Sequence, residues 1–228
     1  MAGRGKAFGW LIALLILAGV GAVGWWFWDN RFPIRGIDVS HYQGEIDWAR
    51  VKADGIRFAF VKATEGVNNV DSTFAANMKG AKAAGVKRGA YHFFHPNLDG
   101  SEQAKHFLSQ YTFKKGDLAP VLDLEVTDNV TATAIRREAL EWLEAVESAT
   151  GKRPIIYTLP HYARSYLDAS FSKYPLWVVD LNPFLVRSTS HWTGWQFWQH
   201  NHHGGVDGIE GDVDLNVFSG TEAEFSAL

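Results

Sequence analysis

Asp123 and Glu125 stand one residue apart in the apolar run Val121-Leu122-Asp123-Leu124-Glu125. Side chains alternate faces along a strand, so both carboxylates share one surface while Leu122 and Leu124 take the other. Strand rise alone puts their Cβ atoms about 6 to 7 Å apart, near enough for each charge to shift the other's protonation. Two carboxyls, one protonated and one ionised, are the equipment for breaking a glycosidic bond. The other use for such a pair is to cap the helix that opens at Thr131. What the neighbouring strands carry decides between the two.

After Pro33 the chain alternates strand and helix signals with short loops. Strands are predicted over residues 34–40, 57–64, 87–94, 121–125, 154–158, 176–181, 194–199 and 212–218. Helices are predicted between most of them. The clearest has Ile135, Ala139, Trp142, Leu143 and Val146 at helical spacing and Gly151 as its stop. Eight strands interleaved with helices imply an α/β fold, an irregular (β/α) TIM-like barrel with fewer helices than strands. Helices are short or missing toward the C-terminal end. Barrel enzymes place chemistry at the C-terminal ends of strands, and polar groups collect there: Asp38 and Ser40, Lys62 to Gly66, Tyr91 and His92, the acid pair, Tyr157, Asp180, Gln196 and Gln199. In the last strand Asp212, Asp214 and Asn216 share a face. A barrel built only for packing has no reason to converge these groups, which favours function for the acid pair.

The first 30 residues form a separate segment, and residues 31–228 form the body. Ala7 to Trp28 is a 22-residue stretch without charge, preceded by Arg4 and Lys6. That length suffices for one N-terminal transmembrane helix, and the leading positive charge favours a cytoplasmic stub with the body outside, in the periplasm or at the cell surface. A cleaved signal peptide competes, but bulky tryptophans follow Val20-Gly21-Ala22 where small polar residues are expected. The expectation is a membrane-anchored protein with its catalytic barrel outside the cytoplasm. The chain carries a net charge of −3, and setting aside Arg4, Lys6 and Asp29 makes the body one unit more acidic. No basic footprint for nucleic acid exists. Cysteine is absent, which excludes disulfides, thiol nucleophiles and cysteine-held metal.

The motifs Arg35-Gly36-Ile37-Asp38-Val39-Ser40 with Gln43, Lys62-Ala63-Thr64-Glu65-Gly66, Gly89 to Phe94, Leu122 to Glu125, Pro154 to Thr158 and Val213 to Phe218 occur in one order. Together they resemble glycoside hydrolase family 25, the Chalaropsis-type lysozymes, over residues 34–220. The resemblance implies hydrolysis of the β-1,4 bond between N-acetylmuramic acid and N-acetylglucosamine in peptidoglycan, without cofactor. Carried over by motif, Glu125 is the general acid and then base, Asp123 steadies the substrate's acetamido group, and Asp38 and Asp214 support them. Glu65, Tyr91 and Tyr157 would shape the sugar site. Crowding by Asp123, Asp38 and Asp214 is expected to hold the proton on Glu125. The alternative is a catalytically silent peptidoglycan-binding or envelope scaffolding module, which the intact acids argue against.

The chain departs from the family pattern at His95, where arginine is expected, at Leu159-Pro160 and at Asp180. His200, His202 and His203 read as a solvated loop rather than a metal site, and no metal is expected. Of Trp192, Trp195 and Trp198, Trp198 is the preferred sugar contact. His41 and His92 read as structural. The body is expected to be a monomer whose partner is the glycan strand.

Overall fold

The structure, a computed structural model, describes residues 31–182 and 185–228. Residues 34–228 fold as one compact unit. Its strands are β1 (Arg35–Val39), β2 (Phe58–Glu65), β3 (Asn69–Val70), β4 (Lys87–Phe93), β5 (Val121–Leu124), β6 (Ile155–Thr158), β7 (Leu176–Val179), β8 (Phe197–Gly204) and β9 (Val213–Phe218). The helices are α1 (Trp48–Ala53), α2 (Phe74–Ala83), α3 (Gly100–Gln110), α4 (Ala132–Thr150), α5 (Pro160–Tyr166) and α6 (Glu222–Ala227). The sheet runs β1-β9-β8-β7-β6-β5-β4-β2 and closes through β1–β2, which makes an eight-stranded barrel with β3 hung on the edge of β2.

Two expectations are corrected. The barrel is mixed: β9 runs antiparallel to both β1 and β8, so the regular (β/α) TIM-like pattern stops at β7. The cause is chain length, because parallel neighbours need a crossover of a dozen or more residues. Only residues 205–212 join β8 to β9, which suits a hairpin. Among the described residues no helix intervenes between β7 and β8. The anticipated transmembrane helix falls on residues 1–30, outside the described residues. Among the described residues no helix is long and apolar enough to cross a membrane.

Alternation along each strand divides the core in two. Ile37, Val39, Val61, Leu122, Leu124 and Ile156 face outward and pack with the helices, including Ile135, Trp142 and Leu143 of α4. Phe58, Phe60, Val121, Ile155, Trp177, Phe197 and Phe218 fill the barrel. Gly36 makes this filling possible. A Cβ there would lie 2.4 Å from the Phe58 ring, closer than any carbon contact allows. Phe225 of α6 joins the same interior group, its ring 5.9 Å from Phe58 and 5.5 Å from Phe218. Arg57 pairs with Glu222 at 2.6 Å, and Lys87 Nζ donates to the Phe225 carbonyl at 2.9 Å. Thus α6 seals the end of the barrel where β2 and β4 begin, and the opposite rim stays open.

Helix starts follow local chemistry. Thr131 Oγ1 accepts from Ala134 N at 3.2 Å, and α4 ends at Gly151 with φ 65°, a left-handed stop that glycine adopts without strain. Thr131 caps α4 itself, so capping does not account for Asp123 and Glu125. Pro160 opens α5 at its first turn, where a missing N–H costs nothing. This gives the Leu159-Pro160 departure a structural reason.

Candidate active site

The open rim holds a cavity of about 200 Å³ lined by Asp38, Asp123, Glu125 and Asp214, with Tyr91, Tyr157, Lys62, Phe93 and Trp177 among the other walls. Asp123 faces inward from β5 between Phe93 of β4 and Tyr157 of β6. Asp38 and Asp214 are directly opposed across the β1–β9 ladder. Because β9 runs antiparallel, its first residues reach the rim where the parallel strands end. That reversal carries Asp214 to the other acids.

Asn216 Nδ2 donates to Asp38 Oδ2 at 2.7 Å, and Trp177 Nε1 donates to Asn216 Oδ1 at 2.8 Å. Burial, with Asp214 opposite, pushes the Asp38 carboxyl well above its ordinary range despite this bond. Asp123 is also pushed well up, by burial first and then by the charges of Glu125 and Asp38. Among the described residues no hydrogen bond reaches its buried Oδ1. Glu125 is raised as well, chiefly by burial; Asp214 adds to this, while His202 and Lys62 oppose it. The expected proton retention on Glu125 therefore holds in direction, but desolvation is its main cause and Asp214 the acid that repels it. Burial and the neighbouring acids keep the Tyr91 and Tyr157 hydroxyls protonated far above neutrality, so both present O–H donors.

Of the residues expected at the site, Asp38, Asp123, Glu125, Asp214, Tyr91 and Tyr157 come together. Glu65 sits beside them, its Oε2 receiving Lys62 Nζ at 2.7 Å. Trp198 does not join them: it is 2% exposed, and its indole donates to the Asp180 carbonyl at 2.6 Å. Its position on the packed part of β8 turns it from a sugar contact into a core residue. Asp180 accepts from Arg187 and from Asn182 N, which makes it a loop anchor.

Three contributors were not singled out from sequence. His202 lies in β8, not in a solvated loop, and its Nδ1 is 2.7 Å from Asp214 Oδ1. Recognising a hairpin between Gly204 and Val213 would have placed the two side by side. Trp177 hides in an apolar strand whose alternation points it inward. Tyr42, 81% exposed, stands at the mouth on a 3-10 turn over His41–Gln43. An exposed ring at an acidic groove offers an apolar face to a pyranose.

Acids gathered on one barrel rim, with Glu125 held toward its protonated form, are equipment suited to acid–base hydrolysis. Comparison with known proteins agrees. Residues 37–209 match Glycosyl hydrolases family 25. Lysozyme M1 of Streptomyces globisporus is 36% identical over 211 residues, covering 86% of this chain and 71% of its own length. Protein YegX of Escherichia coli (strain K12) is 43% identical over 202 residues, covering 86% and 74%. The crystal structure of the bacterial lysozyme from Streptomyces coelicolor superposes with a TM-score of 0.82 at 36% identity, over 86% of this chain and 96% of that one. The chain belongs to glycosyl hydrolase family 25 and is a glycoside hydrolase.

Proposed function

We propose that the protein is a lysozyme that cleaves the β-1,4 bond between N-acetylmuramic acid and N-acetylglucosamine in peptidoglycan, outside the cytoplasm. Its relatives named lysozyme support the substrate class. Glu125 donates its proton to the glycosidic oxygen as the bond to the anomeric carbon breaks. The oxygen of the substrate's own acetamido group closes on that carbon, and Asp123 balances the positive charge that develops on the acetamido nitrogen. Glu125, now a carboxylate, takes a proton from the water that opens the ring intermediate. Two displacements at one carbon retain its configuration. Asp38 and Asp214 form the acidic floor, and Tyr91, Tyr157 and Glu65 shape the sugar site.

The observation that carries this reading is the pairing at the end of β5 of a proton-holding Glu125 with Asp123, whose buried Oδ1 has no hydrogen-bond partner among the described residues. The test is release of reducing ends from purified peptidoglycan by the full chain beside Glu125→Gln. The variant is expected to lose at least about a hundredfold in kcat. Equal activity of the two proteins would exclude Glu125 as the proton donor, and no release by the wild type would exclude a lysozyme.

A further inference from the structure

His95 follows β4 at the rim, with its side chain 28% exposed. Its ring nitrogens face two carboxylates from different parts of the chain: Nδ1 is 2.9 Å from Asp128 Oδ2, and Nε2 is 3.2 Å from Glu65 Oε1. A neutral imidazole has one N–H and one lone pair, so it can serve only one of them. The imidazolium donates to both. We propose that His95 acts as a doubly donating cation that clamps the loop after Glu125 to the β2 side of the groove, and is thereby a positioning residue for the hydrolysis.

The clamped loop needs holding. Asp128 and Asn129 have φ of 44° and 60°, left-handed conformations that Asp and Asn adopt more readily than other non-glycine residues but that surrounding contacts must still fix. Asp128 supplies the carboxylate that His95 holds, only three residues beyond Glu125. On the near side, Tyr162 Oη donates to the Val126 carbonyl at 2.8 Å. Glu125 thus sits beside a stretch tied at Val126 and again at Asp128. The far anchor is firm too, because Glu65 also receives Lys62 Nζ, and Lys62 lies over the Phe93 ring at 4.9 Å.

The charged groups against His95 are Glu65 from β2, which Lys62 also holds, and Asp128 from the loop, with His92 of β4 acting on it by charge alone. Burial holds His92 down at about 3, so it adds no positive charge near neutrality. Burial opposes charge on His95, but the bonds to Glu65 and Asp128 win and raise it above its ordinary 6.5. Burial likewise opposes ionisation of Glu65, yet Lys62 and His95 hold that carboxyl below the usual range. The clamp is closed at pH 6, below the raised His95 value and above the range in which Glu65 loses its charge, and it opens as pH rises through the His95 value.

This proposal rests on Glu125 as the proton donor, and its test separates the two ideas. In the full chain the ring nitrogens of His95 are followed by NMR against pH, and amide exchange at residues 127–130 is compared in wild type, His95→Gln and His95→Arg. Both ring N–H groups should be present at pH 6. His95→Gln should lose about tenfold or more in kcat with little change in KM and should exchange those amides at least about tenfold faster. His95→Arg should recover kcat and, unlike wild type, should keep its protection, corrected for intrinsic exchange, at alkaline pH. A neutral His95 at pH 6 overturns the clamp, as do unchanged exchange in His95→Gln or failure of His95→Arg to recover a His95→Gln defect. An active Glu125→Gln would overturn only the proton-donor role and leave the exchange results standing.

Discussion

Asp123 is 6% exposed, and burial, Glu125 and Asp38 all oppose its ionisation. Its folded pKa lies above the ordinary 3.8, so the folded state binds its proton more tightly than the unfolded state, and stability falls as pH rises through the folded value. Asp123→Asn removes that penalty. We expect no stability difference below pH 3.8 and a higher Tm for the variant at neutral pH, by about 2–4 °C for each kcal/mol relieved. Hydrolysis should fall by about a hundredfold or more. Thermal melts across pH check this, and a variant no more stable than wild type at pH 7 would mean that the buried acid carries no such penalty. The acid pair was legible because strand alternation is a strict period. The partners of the acids were less so: His202 depends on a hairpin pairing, and Trp177 rather than Trp198 lines the groove because an aromatic in a strand packs equally well on either face until the register is known.

At the scale of elements, inward residues of the barrel alternate between rings and gaps. Gly36 provides the gap for Phe58 on the neighbouring strand, two residues before Asp38. Gly36→Ala must push an aromatic ring aside in an interior that has no slack. We expect a loss of about 2–3 kcal/mol in urea unfolding, with activity falling because β1 carries Asp38. An unchanged midpoint would mean that the ring moves freely. The sequence located most of the strands to within a few residues because apolar alternation, glycine stops and proline starts mark them, but β8 runs on to Gly204, past its expected end at Gln199. It missed β3 and α6, which are two and six residues long, too short to show a period. The direction of β9 also escaped, since an isolated strand reads alike both ways and only the short connection before it excludes a parallel crossover.

At the scale of the molecule, the barrel separates its duties by end. Phe225 and α6 close one end with aromatic packing, while the acids occupy the other. Phe225→Ala should therefore cost about 3 kcal/mol or more, a drop of about 6–12 °C in Tm. Well below the melting transition, kcat/KM should stay within about twofold, because distant sites act independently. Melting curves and peptidoglycan assays on one preparation test this, and a large loss of kcat/KM in the folded variant would show that the two ends are coupled. The family was readable at this scale because six motifs in fixed order constrain the chain more than any one of them does, whereas the mixed direction of the barrel was not.

The facing pair Asp38 and Asp214 joins β1 to β9, nearly the whole length of the barrel sequence. A ribosome delivers Asp38 well before Asp214, and the barrel cannot close before β9 emerges to fill the gap between β8 and β1. A chain still being made therefore has neither a complete acid floor nor the strand that orients it. Cutting power therefore cannot precede that strand.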